Sequence, residues 1–125
     1  MSTSDILVID DDEMMTLFLA EYLGSQHNVS VYSSAAEAQN ALLAGAHPTL
    51  IIMDLSMPDM DGFAMLNWLK EGPNFSDIPV LVLSGSEKSE DRVTCLRLGA
   101  ADFLQKPFNP EELQARVNLQ VKRPV

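Results

Sequence analysis

The chain has 125 residues, 46% of them apolar, one cysteine and a net charge of −10. That length suits one domain with a real core, and no apolar run exceeds four residues, so nothing spans a bilayer. The acidic balance argues against direct nucleic-acid binding, which needs clustered Lys and Arg. Cys95 has no partner for an internal disulfide, which fits a reducing, cytoplasmic setting, and its place in a helical pattern makes it a small core residue. Asp5 falls where a secretory leader's apolar region should begin, and no Lys or Arg precedes it.

Ile6-Leu7-Val8-Ile9 is a continuous apolar run that ends in Asp10-Asp11-Asp12-Glu13. Such a run, bounded by polar residues, reads as a strand buried on both faces. From Met14 to Leu23 the apolar residues Met14, Leu17, Phe18 and Tyr22 recur at helical spacing, with Met15 and Leu19 beside them, and Gly24 stops the pattern. Val29, Val31 and Tyr32 form a short strand. Ser34 followed by Glu37 matches a capping box for a helix that runs to about Ala44 and ends at Gly45. His47 lies in the next loop and has no metal-ligand partner nearby.

Leu50-Ile51-Ile52-Met53 is the second buried strand, and it runs into Asp54. A breaker-rich loop, Ser56 to Gly62, follows. Phe63 to Lys70 reads as a helix with Phe63, Met65, Leu66 and Leu69 on its apolar side. Val80 to Leu83 is a further buried strand, ending in Ser84-Gly85-Ser86. Polar residues from Glu87 to Arg92 open a helix carrying Val93, Leu96 and Leu98, stopped by Gly99. Asp102 to Gln105 is the last strand, followed by Lys106-Pro107. Asn109, Pro110 and Glu112 then start a helix that reaches about Val121.

The order is βα repeated five times. Parallel strands need long crossovers, and near-continuous apolar strands belong to a sheet covered on both faces. All carboxyl ends then share one edge, where ligands bind in open α/β sheets. Asp10, Asp11, Asp54, Ser84 and Lys106 are delivered there. Singly, each has an ordinary reading: Asp54 and Ser84 as turn residues, Lys106 as a loop lysine. Together they make a constellation that structure alone does not require. Two like charges ~4 Å apart repel by roughly 4 kcal/mol at an effective dielectric of 20, so the acids either take up protons or hold a cation. Magnesium suits them, because it accepts one or two carboxylates and leaves room for phosphate oxygens. Asp54 then becomes a nucleophile toward a phosphoryl group, with the cation, Lys106 and the Ser84 hydroxyl taking the equatorial oxygens.

The set Asp10-Asp11, Asp54 with Met57-Pro58 and Asp61-Gly62, Ser84-Gly85 and Lys106-Pro107-Phe108 resembles the receiver domain of two-component response regulators. The resemblance implies a flavodoxin-like (βα)5 three-layer sandwich with strand order 2-1-3-4-5, one receiver domain over residues 1–125 (core about 5–121), and a linker at 122–125. It implies a phosphorylation-controlled signalling switch rather than an enzyme. Asp54 corresponds to the acceptor of a phosphoryl group from a histidine kinase or phosphotransfer protein. Asp11, Asp54 and the backbone carbonyl of Ser56 would ligate Mg2+ directly, and Asp10 through water. Lys106 would pair with the phosphoryl group, Ser84 and Phe103 would be the switch residues, and the Lys106–Pro107 bond would be cis. The output surface would be the last helix-strand-helix face, meeting an effector domain or a second copy. There Arg92, Asp102 and Arg116 read as a solvated face or as intersubunit ion pairs. Two other readings remain at this level. One is a phosphate-independent pseudo-receiver. The other is an aspartate-nucleophile phosphatase, which would want a second acid at position 56, where Ser56 stands.

Overall fold

The computed structural model describes residues 4–57 and 59–121. The tail expected as a linker, Lys122 to Val125, and Pro58 of the loop motif lie outside the described residues. Five strands alternate with five helices: β1 (Ser4–Ile9), α1 (Glu13–Gly24), β2 (His27–Tyr32), α2 (Ala35–Leu43), β3 (Leu50–Asp54), α3 (Gly62–Glu71), β4 (Val80–Ser84), α4 (Ser89–Arg97), β5 (Asp102–Gln105) and α5 (Pro110–Val121). All strand pairs are parallel, in the order β2-β1-β3-β4-β5. The parallel sheet is the one the alternation of patterns predicts, and its doubly wound order is the one the resemblance implied.

The apolar strands divide their side chains between two cores, as the two-residue period of a strand requires. Leu7, Ile9, Ile51, Met53, Val80, Val82 and Phe103 face α2, α3 and α4, meeting Ala35, Ala38, Leu42, Met65, Leu66, Leu69 and Cys95. Ile6, Val8, Leu50, Ile52, Leu81, Leu83 and Leu104 face α1 and α5, meeting Leu19, Leu23, Leu113 and Val117. The central strands β3 and β4 are buried along their whole length, which explains their uninterrupted apolar sequences. Gly45 and Gly99, just beyond α2 and α4, take φ of 115° and 109°, a conformation that favours glycine.

Two helices are rotated from the faces their apolar residues suggest. In α1, Met14 and Leu17 are exposed, and the buried line is Thr16, Leu19 and Leu23. Both lines keep helical spacing, so periodicity gives the helix without fixing which face goes inward. In α4, Val93 and Leu96 point outward and Cys95 is the buried residue. Burial, with Asp91 nearby, pushes its thiol up to about 11, so it stays protonated and unreactive at neutral pH. No helix among the described residues is long and apolar enough to cross a membrane.

Candidate functional site

Because the strands are parallel, Asp10, Asp54, Ser84 and Lys106 arrive at the same edge. The backbone extends the ladder past the strand ends: Asp10 N–H donates to the Tyr32 carbonyl at 3.0 Å, and Lys106 N–H to the Ser84 carbonyl at 2.7 Å. The Lys106–Pro107 peptide is cis. Lys106 Nζ lies 3.2 Å from Asp10 Oδ2 and 3.6 Å from Asp54 Oδ1. Asp10, Asp54 and Ser84 are buried, whereas Asp11 stands open to solvent. Asp10, Asp11 and Asp54 each offer a carboxylate oxygen within 4.8 Å of the others.

One ammonium thus meets two carboxylates of a cluster of three. Burial is the largest influence on Asp54 and pushes its carboxyl above the ordinary range; Lys106 pulls it down, Asp10 pushes it up, the Ser56 amide hydrogen bond lowers it, and Asp11 raises it. The surplus of negative charge and the convergent oxygens fit a small, hard divalent cation. Asp10 is held from both sides: its Oδ1 accepts the Asp12 N–H at 2.9 Å and its Oδ2 faces Lys106. Asp12 turns its own carboxylate away and caps α1, accepting from Met14 at 3.0 Å and Met15 at 3.4 Å.

Ser84 Oγ accepts the Ser86 N–H at 3.0 Å; Ser86 Oγ in turn donates to Asp91 Oδ2 at 2.6 Å and accepts the Lys88 N–H at 3.2 Å. The loop that carries Ser84 is therefore tied to the first turn of α4. Phe103 lies opposite Val82 in register and is buried. On the far face, Arg116 grips Asp102 with 2.8 and 2.9 Å contacts and Glu112 at 2.9 Å. Arg116 and Asp102 thus satisfy each other within the chain, while Arg92 is exposed.

Sequence reasoning passed over Asp59. Its carboxylate reaches from the loop after β3 to the start of α2, where it accepts the amides of Ala35 and Ala36. Those partners lie 24 and 23 residues away in the chain, so no local pattern signals them.

The profile of the response regulator receiver domain matches residues 6–118. The chain belongs to the receiver-domain family of response regulators. Among its relatives, the transcriptional regulatory protein PmrA of Pectobacterium parmentieri is 39% identical over 94% of this chain and 52% of its own length. The sensor histidine kinase TmoS of Ectopseudomonas mendocina is 35% identical over 90% of this chain but only 12% of its own length. The chemotaxis response regulator CheY4 of Vibrio cholerae superposes with a TM-score of 0.86 at 26% identity, covering 95% of this chain and 99% of that one. The chain spans about half the length of relatives such as PmrA. Receiver domains are signalling switches of two-component systems, carried both by regulators and within kinases. The edge occupied by Asp10, Asp11, Asp54, Ser84 and Lys106 is the acidic, cation-compatible end of this receiver domain.

Proposed function

We propose that this receiver unit, with its core at residues 5–121, takes a phosphoryl group from the phosphohistidine of a sensor histidine kinase or phosphotransfer protein onto Asp54, in a Mg2+-dependent reaction in the cytoplasm. The single observation that carries the reading is the convergence of Asp10, Asp11 and Lys106 on the Asp54 carboxylate. Asp54 supplies the nucleophilic oxygen; its bond to phosphorus forms as the phosphorus–nitrogen bond to the imidazole breaks, and the imidazole takes a proton from solvent. Asp11, Asp54 and the Ser56 carbonyl would hold Mg2+ directly and Asp10 through water, and the ion would supply charge neutralisation for the phosphoryl oxygens. Lys106 shifts from its carboxylate partners to an anionic phosphoryl oxygen. The Ser84 hydroxyl donates to another, and this draws on the loop that Ser86 ties to Asp91 and so biases α4. Phe103, buried in the core on β5 beside β4, would be the aromatic partner of this switch. The output face is α4, β5 and α5, offered to an effector domain or a second copy.

Labelling with acetyl phosphate tests the assignment. Wild-type protein should gain one acid-stable, base-labile phosphoryl group in Mg2+ and almost none in excess EDTA. Asp54→Asn should fall to background, a loss of at least about a hundredfold given that the nucleophile itself is gone. Undiminished labelling of Asp54→Asn places the acceptor elsewhere.

A further inference from the structure

The loop between β3 and α3 is fixed at two places. At its base the Gly62 N–H donates to the Leu55 carbonyl at 3.0 Å. Further along, Asp59 leaves its own neighbourhood: Oδ1 accepts the Ala35 N–H at 3.1 Å and Oδ2 the Ala36 N–H at 2.9 Å. These are the first two residues of α2. Glu37 N–H is served locally by Ser34 Oγ at 3.2 Å, and Ala38 N–H makes the first helical bond, to the Ser34 carbonyl at 3.3 Å. Even the Glu37 carboxylate is engaged elsewhere, with the amide and hydroxyl of Ser33 at 3.2 Å each. A helix start leaves four amides without intrahelical partners, and here Asp59 takes the two that nothing local reaches. Next to it, Gln39 Nε2 stands 3.8 Å from Met60 Sδ, a second contact between the same loop and the same helix. The Ala36 amide, with that of Ala35, holds the Asp59 carboxyl below the usual range, so the grip persists across neutral pH.

Ser56 lies between the two fixed points. In the reading above its carbonyl faces the cation. Only Met57 and Pro58 separate it from Asp59 in the sequence, too short a span for the loop to absorb a displacement of Asp59 without moving Ser56. We propose that Asp59 is a positioning residue: by holding the N-terminus of α2 it keeps the Ser56 backbone in register with the Asp10, Asp11 and Asp54 carboxylates, so that α2 sets the affinity of the cation site. This inference rests on the metal-binding reading of that site and extends it to an element no other part of that reading involves. Groups that support a ligating group from behind commonly change metal affinity by about tenfold or more when removed.

The test is calorimetric titration of the metal-free protein with MgCl2, with amide hydrogen exchange on the same samples. Asp59→Ala should weaken Mg2+ binding about tenfold and accelerate exchange at Ser56 and Met57 as well as at Ala35 and Ala36. Asp59→Asn keeps one acceptor oxygen and should fall between, and it serves as the readable variant if the alanine form is poorly folded. Ser34→Ala removes the other side-chain cap of α2 without touching the loop; it should lower thermal stability and leave Mg2+ affinity within about twofold of wild type, since a cap residue acts on its own helix end. Wild-type Mg2+ affinity in both Asp59 variants overturns the inference and leaves Asp59 as a helix cap alone. Equal weakening by Ser34→Ala also overturns it, because the effect would then follow helix stability rather than loop position. Absence of Mg2+ binding by the wild-type chain overturns the inference together with the metal-site reading beneath it.

Discussion

Asp54 is the residue on which the electrostatics of the site can be read without any ligand. Its carboxyl is pushed above the ordinary range chiefly by burial, with Lys106 opposing and Asp10 adding to the push. A carboxyl that holds its proton more tightly when folded contributes stability below the unfolded carboxylate value of about 4, and that contribution is lost as pH rises through the raised folded value. Without metal, the ionised form of Asp54 is therefore a burden on the fold. Asp54→Asn, neutral at every pH, is expected to raise the melting temperature by a few degrees at pH 7 in EDTA. The gain should shrink as pH falls and vanish below the unfolded carboxylate value of about 4. Circular dichroism melts over that pH series check it; a lower melting temperature for Asp54→Asn at pH 7 would mean that the Lys106 contact outweighs burial. Asp54, Asp10 and Lys106 were legible as a group because Asp10 and Asp54 each close an apolar run, Lys106 follows the last strand, and parallel strands share an edge. Asp59 was not, because its role depends on two amides that only the tertiary fold brings within reach.

At the level of elements, the strands were easier to read than the helix faces, and for a physical reason. A strand buried on both faces needs apolar residues at every position, so β3 and β4 carry their burial in plain sequence. A helix needs only one apolar line, and α1 has enough apolar residues for two. Thr16 takes an inward position that Leu17 was expected to fill, its hydroxyl donating to the Glu13 carbonyl at 3.0 Å and so remaining satisfied. In α4 the outward Val93 and Leu96 leave Cys95 as the only buried side chain of the helix. Gly62 is a case where the residue was visible and its reason was not. It reads as a breaker, yet it opens α3 at a point where an added Cβ would lie 2.6 Å from Leu55 Cα and 2.8 Å from its carbonyl carbon. Both are backbone atoms, which yield only if the loop after β3 opens. Gly62→Ala is expected to cost about 1–3 kcal/mol, the range for overpacking a close contact. Urea denaturation measures this directly, and an unchanged midpoint would show that the loop has room to spare.

For the molecule as a whole, the net charge of −10 is unevenly placed. The first Lys or Arg in the sequence is Lys70, and ten of the eighteen acidic residues precede it; from Lys70 onward, eight cations balance the remaining eight acids. Strands β1 and β3, helix α1 and every carboxylate of the candidate site thus belong to the stretch without a cation, and Lys106 is brought to them from the far end of the chain by the fold. Two distinct cation effects on stability follow. Any salt relieves the diffuse repulsion by screening over a Debye length of about 10 Å at 0.1 M. A cation seated among Asp10, Asp11 and Asp54 binds the native state alone, and stabilises it by about 1.4 kcal/mol at ten times its dissociation constant. Millimolar MgCl2 should therefore raise the melting temperature well beyond NaCl of equal ionic strength. Asp11→Ala is the informative variant, because Asp11 is exposed and its removal leaves the core and the Lys106 contacts intact. It should keep the response to NaCl and lose most of the additional response to Mg2+. If MgCl2 and NaCl act alike on the wild-type chain, its acidity serves solubility and the three carboxylates do not form a metal site.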